Sequence, residues 1–372
     1  MEREQFLNSI QDYIQLLGSY FNKKVIHDLI ISNSQLSIFV KLSKHHSLTA
    51  LLYKALVDTK VQADQEELNK LEQYYLACLR KAVLFDRERN ELYSYLNENR
   101  IDFLPLKGII LKDYYLDPFT REFADNDILF PDQYSACVKS FFIKRGYAVE
   151  GYKKWNHDTY IKKPFYNFEM HRSLFVYRAD NKKMVRYFEG YLEKAPIKEK
   201  YEHYLTNEDF YIYFLAHSYK HFHSSGCGIR TLIDIYLYIK KEQLDFDYIN
   251  QELDKIGLLN FSNQIVSLSN KIFNNESLNE SEEEMLLFIA SSGTYGLLEN
   301  NVEKGIREKG RFGYFLSRAF PPYISYKTTY PWAYKCPILI PIAWADRLIR
   351  NSRRASSELK MIKKQKNNKE NN

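Results

Sequence analysis

The first proline of the chain is Pro105. Through the 104 residues before it, apolar side chains recur at helical spacing, as in Phe6, Ile10, Tyr13, Ile14 and Leu17, and again in Leu71, Tyr75, Cys78 and Leu79. A sustained 3.6-residue period with no helix breaker restricts this segment to long helices packed as a bundle. His45-His46-Ser47-Leu48 leads into one more short apolar helix, Leu51 to Leu56.

The pattern changes at about residue 101. Ile101 to Leu106 reads as a short strand, and Lys107-Gly108 follows it at once. Gly108 to Tyr115 returns to helical spacing, and Phe123 to Phe130 alternates like a strand. Pro131-Asp132 stops that strand and caps a helix that ends on Gly146. Three strand-like pieces, Tyr147 to Tyr152, Thr159 to Lys162 and Phe165 to His171, complete the order β-α-β-α-β-β-β. Helices are expected again over 184–194, 209–223 (capped by Thr206 and Asp209), 229–241, 247–272 in pieces and 281–300. The expected class is α+β, a small mixed sheet flanked by N- and C-terminal helical regions. The divisions read 1–98 helical, 99–180 α/β core, 181–345 helical and 346–372 a basic, disordered tail.

Composition removes several alternatives. At 372 residues and 45% hydrophobic, with Lys+Arg 53 against Asp+Glu 47, the chain is too apolar to be disordered. Its four cysteines lie far apart with no CxxC pair, which argues against a zinc ribbon, a thioredoxin-like site or a disulfide scaffold. The net charge of +6 is local. From Arg347 onward nine lysines and arginines face two acids, a balance of +7, so residues 1–346 sum to −1. Such a body carries no strong nucleic-acid signal, and the tail alone suits a solvated end or a weak contact with an anionic membrane surface. The N-terminus lacks the apolar core of a signal peptide, and Pro337 to Trp344 falls far short of the roughly 20 residues needed to span a bilayer. The expectation is a cytoplasmic protein. The aromatic stretch Phe320 to Trp332 reads as a proline-rich connector packed on the helices.

Asp125-Asn126-Asp127 is the most informative short segment. Alternate side chains on a strand share a face, so Asp125 and Asp127 project together, about 6–7 Å apart along the chain. Two carboxylates that close call for a positive partner, and a hard divalent cation bridged to phosphates is the usual one. Leu106-Lys107-Gly108 marks a strand-to-helix junction, where a glycine lets backbone N–H groups approach an anion and a lysine adds charge. Glu169 shares a strand face with Phe165 and Asn167, with His171 continuing it. If that strand pairs beside 123–130, Glu169 becomes the third acid of a cluster able to hold metal for an in-line displacement.

Together these elements resemble the nucleotidyltransferase superfamily of polymerase-β-like fold. More narrowly, Leu-Lys-Gly, Tyr115 to Arg121, Asp-Asn-Asp-Ile-Leu-Phe and Glu-Met-His-Arg are similar to the bacterial uncharacterised nucleotidyltransferase family. The likeness extends to His45 through Leu56 and to His217-Ser-Tyr-Lys-His221 with Ile229 to Asp234, and covers most of residues 40–240. The resemblance implies a nucleoside triphosphate donor, Mg²⁺ or Mn²⁺, and an unidentified acceptor hydroxyl. It implies that Asp125, Asp127 and Glu169 bind metal and carry catalysis, with Lys107 and Gly108 cradling phosphates. The turn departs from the superfamily's usual Gly-Ser or Gly-Gly. Arg121 sits at the mouth of the Asp-Asn-Asp strand, placed either to fork a triphosphate or to neutralise the acids. His217 and His221, spaced i, i+4, address one point, and Asp234 stands i, i+4 from Arg230. On spacing alone helix packing is the stronger reading of the histidine pair, which lacks the central glutamate of a metalloprotease motif, and a helix salt bridge accounts for Arg230 and Asp234; the resemblance places His217, His221 and Asp234 toward the cleft. A catalytically inactive NTP-binding module of the same fold is the alternative.

Overall fold

The computed structural model describes residues 3–26, 30–122, 124–177, 181–294 and 330–350, with isolated positions between 310 and 326. The basic tail beyond residue 350, most of the 320–332 stretch and Phe123 lie outside the described residues. The architecture is α+β, mostly helical, with a five-stranded mixed sheet.

The N-terminal helices are α1 (Arg3–Phe21), α2 (Asn33–His46), α3 (Thr49–Asp58) and α4 (Gln65–Glu98). Asp64 caps α4 by accepting from the Glu67 amide, and Glu66 and Glu67 in its first turn suit the positive end of the helix. One stripe of α4, including Leu71, Phe85, Leu92 and Leu96, is buried.

The sheet follows in the expected β-α-β-α-β-β-β order. Its strands are β1 (Leu104–Pro105), β2 (Asn126–Leu129), β3 (Ala148–Glu150), β4 (His157–Lys162) and β5 (Tyr166–His171), with α5 (Gly108–Leu111) and α6 (Ser135–Lys144) between them. The spatial order is β1-β2-β5-β4-β3. β2 and β5 run parallel with Asp127 beside Glu169, and the other pairs are antiparallel. Pro105 sits on edge strand β1, where a missing N–H costs least. One sheet face is a core of Ile128, Tyr160, Phe168 and Met170 packed on Val138 and Phe142 of α6 and on Leu92 and Leu96 of α4. Phe142 stacks on Tyr160 with ring centres 4.1 Å apart. The other face carries the acids.

The remaining described helices are α7 (Lys182–Tyr187), α8 (Tyr191–Lys194), α9 (Asn207–Ser224), α10 (Ile229–Lys241), α11 (Phe246–Lys255), α12 (Leu259–Asn274), α13 (Glu280–Ser292), α14 (Pro331–Lys335) and α15 (Ile340–Arg350). Thr206 caps α9 through the Asp209 amide, as its sequence indicates. α1 packs against α12 and α13, so helices from both sides of the sheet share one core.

Three local expectations need correction. The helix expected over 184–194 is two pieces, divided where Gly190 adopts φ +69°. A two-stranded ribbon, Ile197–Glu199 with Glu202–His203, stands where no strand is expected, and Phe103 bonds to it through Tyr201 O and the His203 amide. The segment after Pro131 opens as a 3₁₀ turn, Asp132–Tyr134, and α6 begins only at Ser135, whose hydroxyl donates to the Asp132 carboxylate.

Candidate active site

The site is built on the alternation of β2. Asn126 turns toward α4, where Arg89 Nη1 donates to its Oδ1 at 3.2 Å and Asp86 holds the same guanidinium at 2.7 Å. With Asn126 anchored there, Asp127 must project from the opposite face. Asp125 immediately precedes the first strand residue. The backbone N–H of Leu106 donates to Asp127 O at 3.0 Å, which ties the Lys107 turn to the acidic strand. Lys107 has φ +48° and ψ −115°, a backbone state that favours glycine and costs a side-chain-bearing residue about 1–3 kcal/mol. The gain is position: its Nζ donates to Asp127 Oδ1 at 2.7 Å.

The parallel pairing sets Glu169 directly beside Asp127. Two residues on, His171 Nε2 donates to Asp127 Oδ1 at 2.7 Å and lies 3.5 Å from Glu169 Oε2. Asn156 fixes that tautomer by donating to His171 Nδ1 at 3.4 Å and to Ser173 O at 2.9 Å. His157, opposite His171 in the β4–β5 pairing, brings its Nε2 to 3.7 Å from Glu169 Oε2.

Electrostatics divides the three acids. Burial would raise Asp127, but the Lys107 ammonium and the His171 hydrogen bond outweigh it and hold this carboxyl well below the usual range. Burial, reinforced by the neighbouring Asp127 charge and only partly offset by Lys107, pushes Asp125 up to about 6. Glu169 is lowered, because its His171 contact overcomes desolvation. The cluster thus carries more negative charge than Lys107 balances.

Across from this face runs a stripe of α9. Tyr213, His217 and His221 follow at four-residue intervals, and the two imidazoles meet at 3.2 Å between their Nε2 atoms. Burial first, with the Lys107 charge contributing, keeps both neutral: His221 falls to about 3 and His217 well below its ordinary value. Burial raises the Tyr213 phenol, which feels the charges of Lys107, Asp127 and Glu169. Lys107, Gly108, Asp125, Asp127, Glu169, His217 and His221 are therefore neighbours.

Arg121 and Asp234 form a buried unit beside them. Arg121 Nε and Nη2 donate to the two Asp234 oxygens at 2.8 Å each, and Tyr115 Oη donates to Oδ1 at 2.8 Å. Two donors of the Arg121 fork are thus engaged within the protein, and Asp234 is bound to Arg121 and not to Arg230. Arg230 instead donates to the Glu122 carbonyl. A cavity of about 250 Å³ opens here, lined by Tyr74, Cys78, Lys81, Arg121, Glu122 and Arg230, with Ala124 in its wall.

Sequence reasoning left His157 and Tyr213 unread and gave His171 only a place on the strand face. For His157 the strand is expected from Thr159, two residues late. For Tyr213 the i, i+4 spacing to His217 is the available signal, hidden in an aromatic-rich helix.

Replacing Asp125 with asparagine is expected to stabilise the protein at pH 7.5. An acid whose folded pKa is raised contributes most below its unfolded pKa and loses that contribution as pH rises through the folded one. With Asp125 at about 6, Asp125→Asn should gain roughly 1–3 kcal/mol at pH 7.5. That gain should vanish near pH 4. Denaturant midpoints at the two pH values check it; a destabilised Asn variant at pH 7.5 would contradict the charge assignment.

The geometry defines a class: a mixed sheet presenting an Asp-x-Asp strand and a third acid beside a Lys-Gly turn. Residues 32–274, more than half of the chain, match the family described as uncharacterised nucleotidyltransferase, and the chain belongs to that family. Comparison with curated proteins and with solved structures finds no match.

Proposed function

We propose that this protein transfers a nucleoside monophosphate from a nucleoside triphosphate to an acceptor hydroxyl, releasing pyrophosphate in a reaction that needs a divalent cation. The observation that carries this reading is the Asp127–Glu169 register of the parallel β2–β5 pair, with Lys107 on Asp127. Three carboxylates are hard oxygen donors suited to Mg²⁺ or Mn²⁺, and their excess negative charge asks for such an ion. Asp125, Asp127 and Glu169 would hold it, and the cation supplies charge neutralisation at the triphosphate.

The chain's own groups supply the rest. Lys107 is positioned to meet a phosphate once a cation takes over its partner Asp127. Gly108, with no side chain, leaves room for that approach. Because α5 spans a single turn, its dipole adds little, and the anion is bound chiefly by Lys107 and turn N–H groups. Glu169, ionised at neutral pH, orients and polarises the acceptor hydroxyl. The neutral His217 and His221 offer hydrogen bonds without repelling the cation. The Arg121–Asp234–Tyr115 unit positions the segment that leads into Asp125. The adjoining cavity gives an organic substituent room next to the acids.

The test is calorimetric titration of each NTP with and without Mg²⁺. Binding should require the cation and weaken at least about tenfold in Lys107→Ala, in keeping with the loss of a charged hydrogen bond. Cation-independent binding, or equal affinity in that variant, would discard the reading. An inactive NTP-binding module would bind in the same manner without releasing pyrophosphate.

A further inference from the structure

We propose that His157, Glu169 and His171, with Asp127 at their edge, form a site for a first-row divalent transition metal that fills in the absence of nucleotide. The proposal goes beyond nucleotidyl transfer, although it shares Glu169 and Asp127 with that reading. Ligand atoms of His157, Glu169 and His171 lie within 4.8 Å of one another. Glu169 Oε2 stands 3.7 Å from His157 Nε2 and 3.5 Å from His171 Nε2. Those separations are too long for hydrogen bonds. The 3.5 Å separation matches donors that share one ion, since atoms each about 2.1 Å from a metal stand about 3.0–3.5 Å apart, and the 3.7 Å one is about 0.2 Å wider.

The supports are rigid. His157 and His171 are cross-strand partners, and Glu169 sits two residues before His171 on the same strand. The strands therefore hold three donors in one plane of approach without loop rearrangement. His157 Nδ1 is buried with no hydrogen-bond partner, so no contact fixes the ring proton on that nitrogen, and Nε2 faces Glu169. The charge agrees as well. Asp125, Asp127 and Glu169 against Lys107 leave an imbalance of two, which one divalent cation neutralises.

Donor chemistry sets the metal. Two imidazoles with carboxylates favour Mn²⁺, Co²⁺ or Zn²⁺ over Mg²⁺, which prefers oxygen ligands and retains water. For His171 to ligate through Nε2, its proton must move to Nδ1. Asn156, donating to Nδ1 at 3.4 Å, opposes that shift. Asn156 thus tunes occupancy, and a carboxylate there would accept Nδ1–H as metal-bound histidines require.

The full-length protein, treated with chelator and dialysed free of nucleotide, is titrated with Co²⁺ and followed by visible absorption. Bands of a nitrogen-containing site are expected at one equivalent, lost on adding Zn²⁺ and retained in a large excess of Mg²⁺. His157→Ala should weaken binding at least about tenfold, and Asn156→Asp should tighten it about tenfold. Thermal unfolding of each variant reports its fold, and Asn156→Asp keeps the test sharp if His157→Ala fails to fold, because its effect is a gain. An all-oxygen cobalt spectrum, displacement by Mg²⁺ at equal concentration, or wild-type affinity in a folded His157→Ala would overturn the proposal. Unchanged affinity in Asn156→Asp would remove His171 from the ligand set. Loss of nucleotidyl transfer with these bands intact would count against the transfer reading alone.

Discussion

Asp127→Asn is expected to lower the proposed transfer about a thousandfold or more. This carboxylate receives both Lys107 and His171 on one oxygen at 2.7 Å and stands beside Glu169 across the β2–β5 pair. Several kcal/mol of transition-state charge stabilisation passes through a bound metal, and every 1.36 kcal/mol is tenfold in rate. The amide keeps the shape and can still accept from His171, yet it loses the charge that holds a cation. It also strands the Lys107 ammonium, so stability should fall by about 1–3 kcal/mol. Adding Lys107→Met to Asp127→Asn removes the unpaired charge, so stability should recover, while activity should not, because the cation ligand and the phosphate-binding lysine are both gone. Pyrophosphate release and denaturant midpoints on the three proteins read both quantities. Activity returning with stability would make Asp127 a structural acid only.

Arg121→Ala should be the most damaging single change to stability, costing about 3–5 kcal/mol, because it leaves a buried charge without its partner. Both side chains are nearly inaccessible, at 6% and 4% relative exposure, and the pair makes two hydrogen bonds of 2.8 Å. After the substitution Tyr115 would be the hydrogen-bond partner left on Asp234 among the described residues. The loss is expected to come mainly from the stranded Asp234 and not from the intrinsic worth of the ion pair. Arg121→Met together with Asp234→Leu should therefore recover a large part of it. Urea midpoints test the pair; equal destabilisation in the single and the double variant would show that packing, and not the unpaired charge, dominates.

The strand alternation around Asp125-Asn126-Asp127 was legible because Asn126 and Ile128 must go to the core side and Asp127 cannot. The order of elements from Ile101 to His171 was legible for the same reason: short apolar runs, the stop at Pro131 and the helix-ending Gly146 act locally. What could not be read is non-local. β2 pairs with β5 and skips β3 and β4, and nothing in the intervening residues announces that partner. The Arg121–Asp234 pair spans 113 positions, whereas the visible i, i+4 spacing pointed to Arg230. The Lys107 backbone, at φ +48°, is a state that sequence assigns to glycine; the neighbouring Gly108 drew the attention, and the strain falls one residue earlier. His157 was hidden because its meaning comes from standing opposite His171.

The central claim is that this acidic face moves a nucleotidyl group. Parallel reactions with α-labelled and γ-labelled NTP, each with Mg²⁺ or Mn²⁺ and a broad set of hydroxyl acceptors, test it most directly. The account expects the α label on the acceptor, the γ label in released pyrophosphate, and neither product with Asp127→Asn. Label from the γ position on the acceptor, or equal products from wild type and Asp127→Asn, would contradict it.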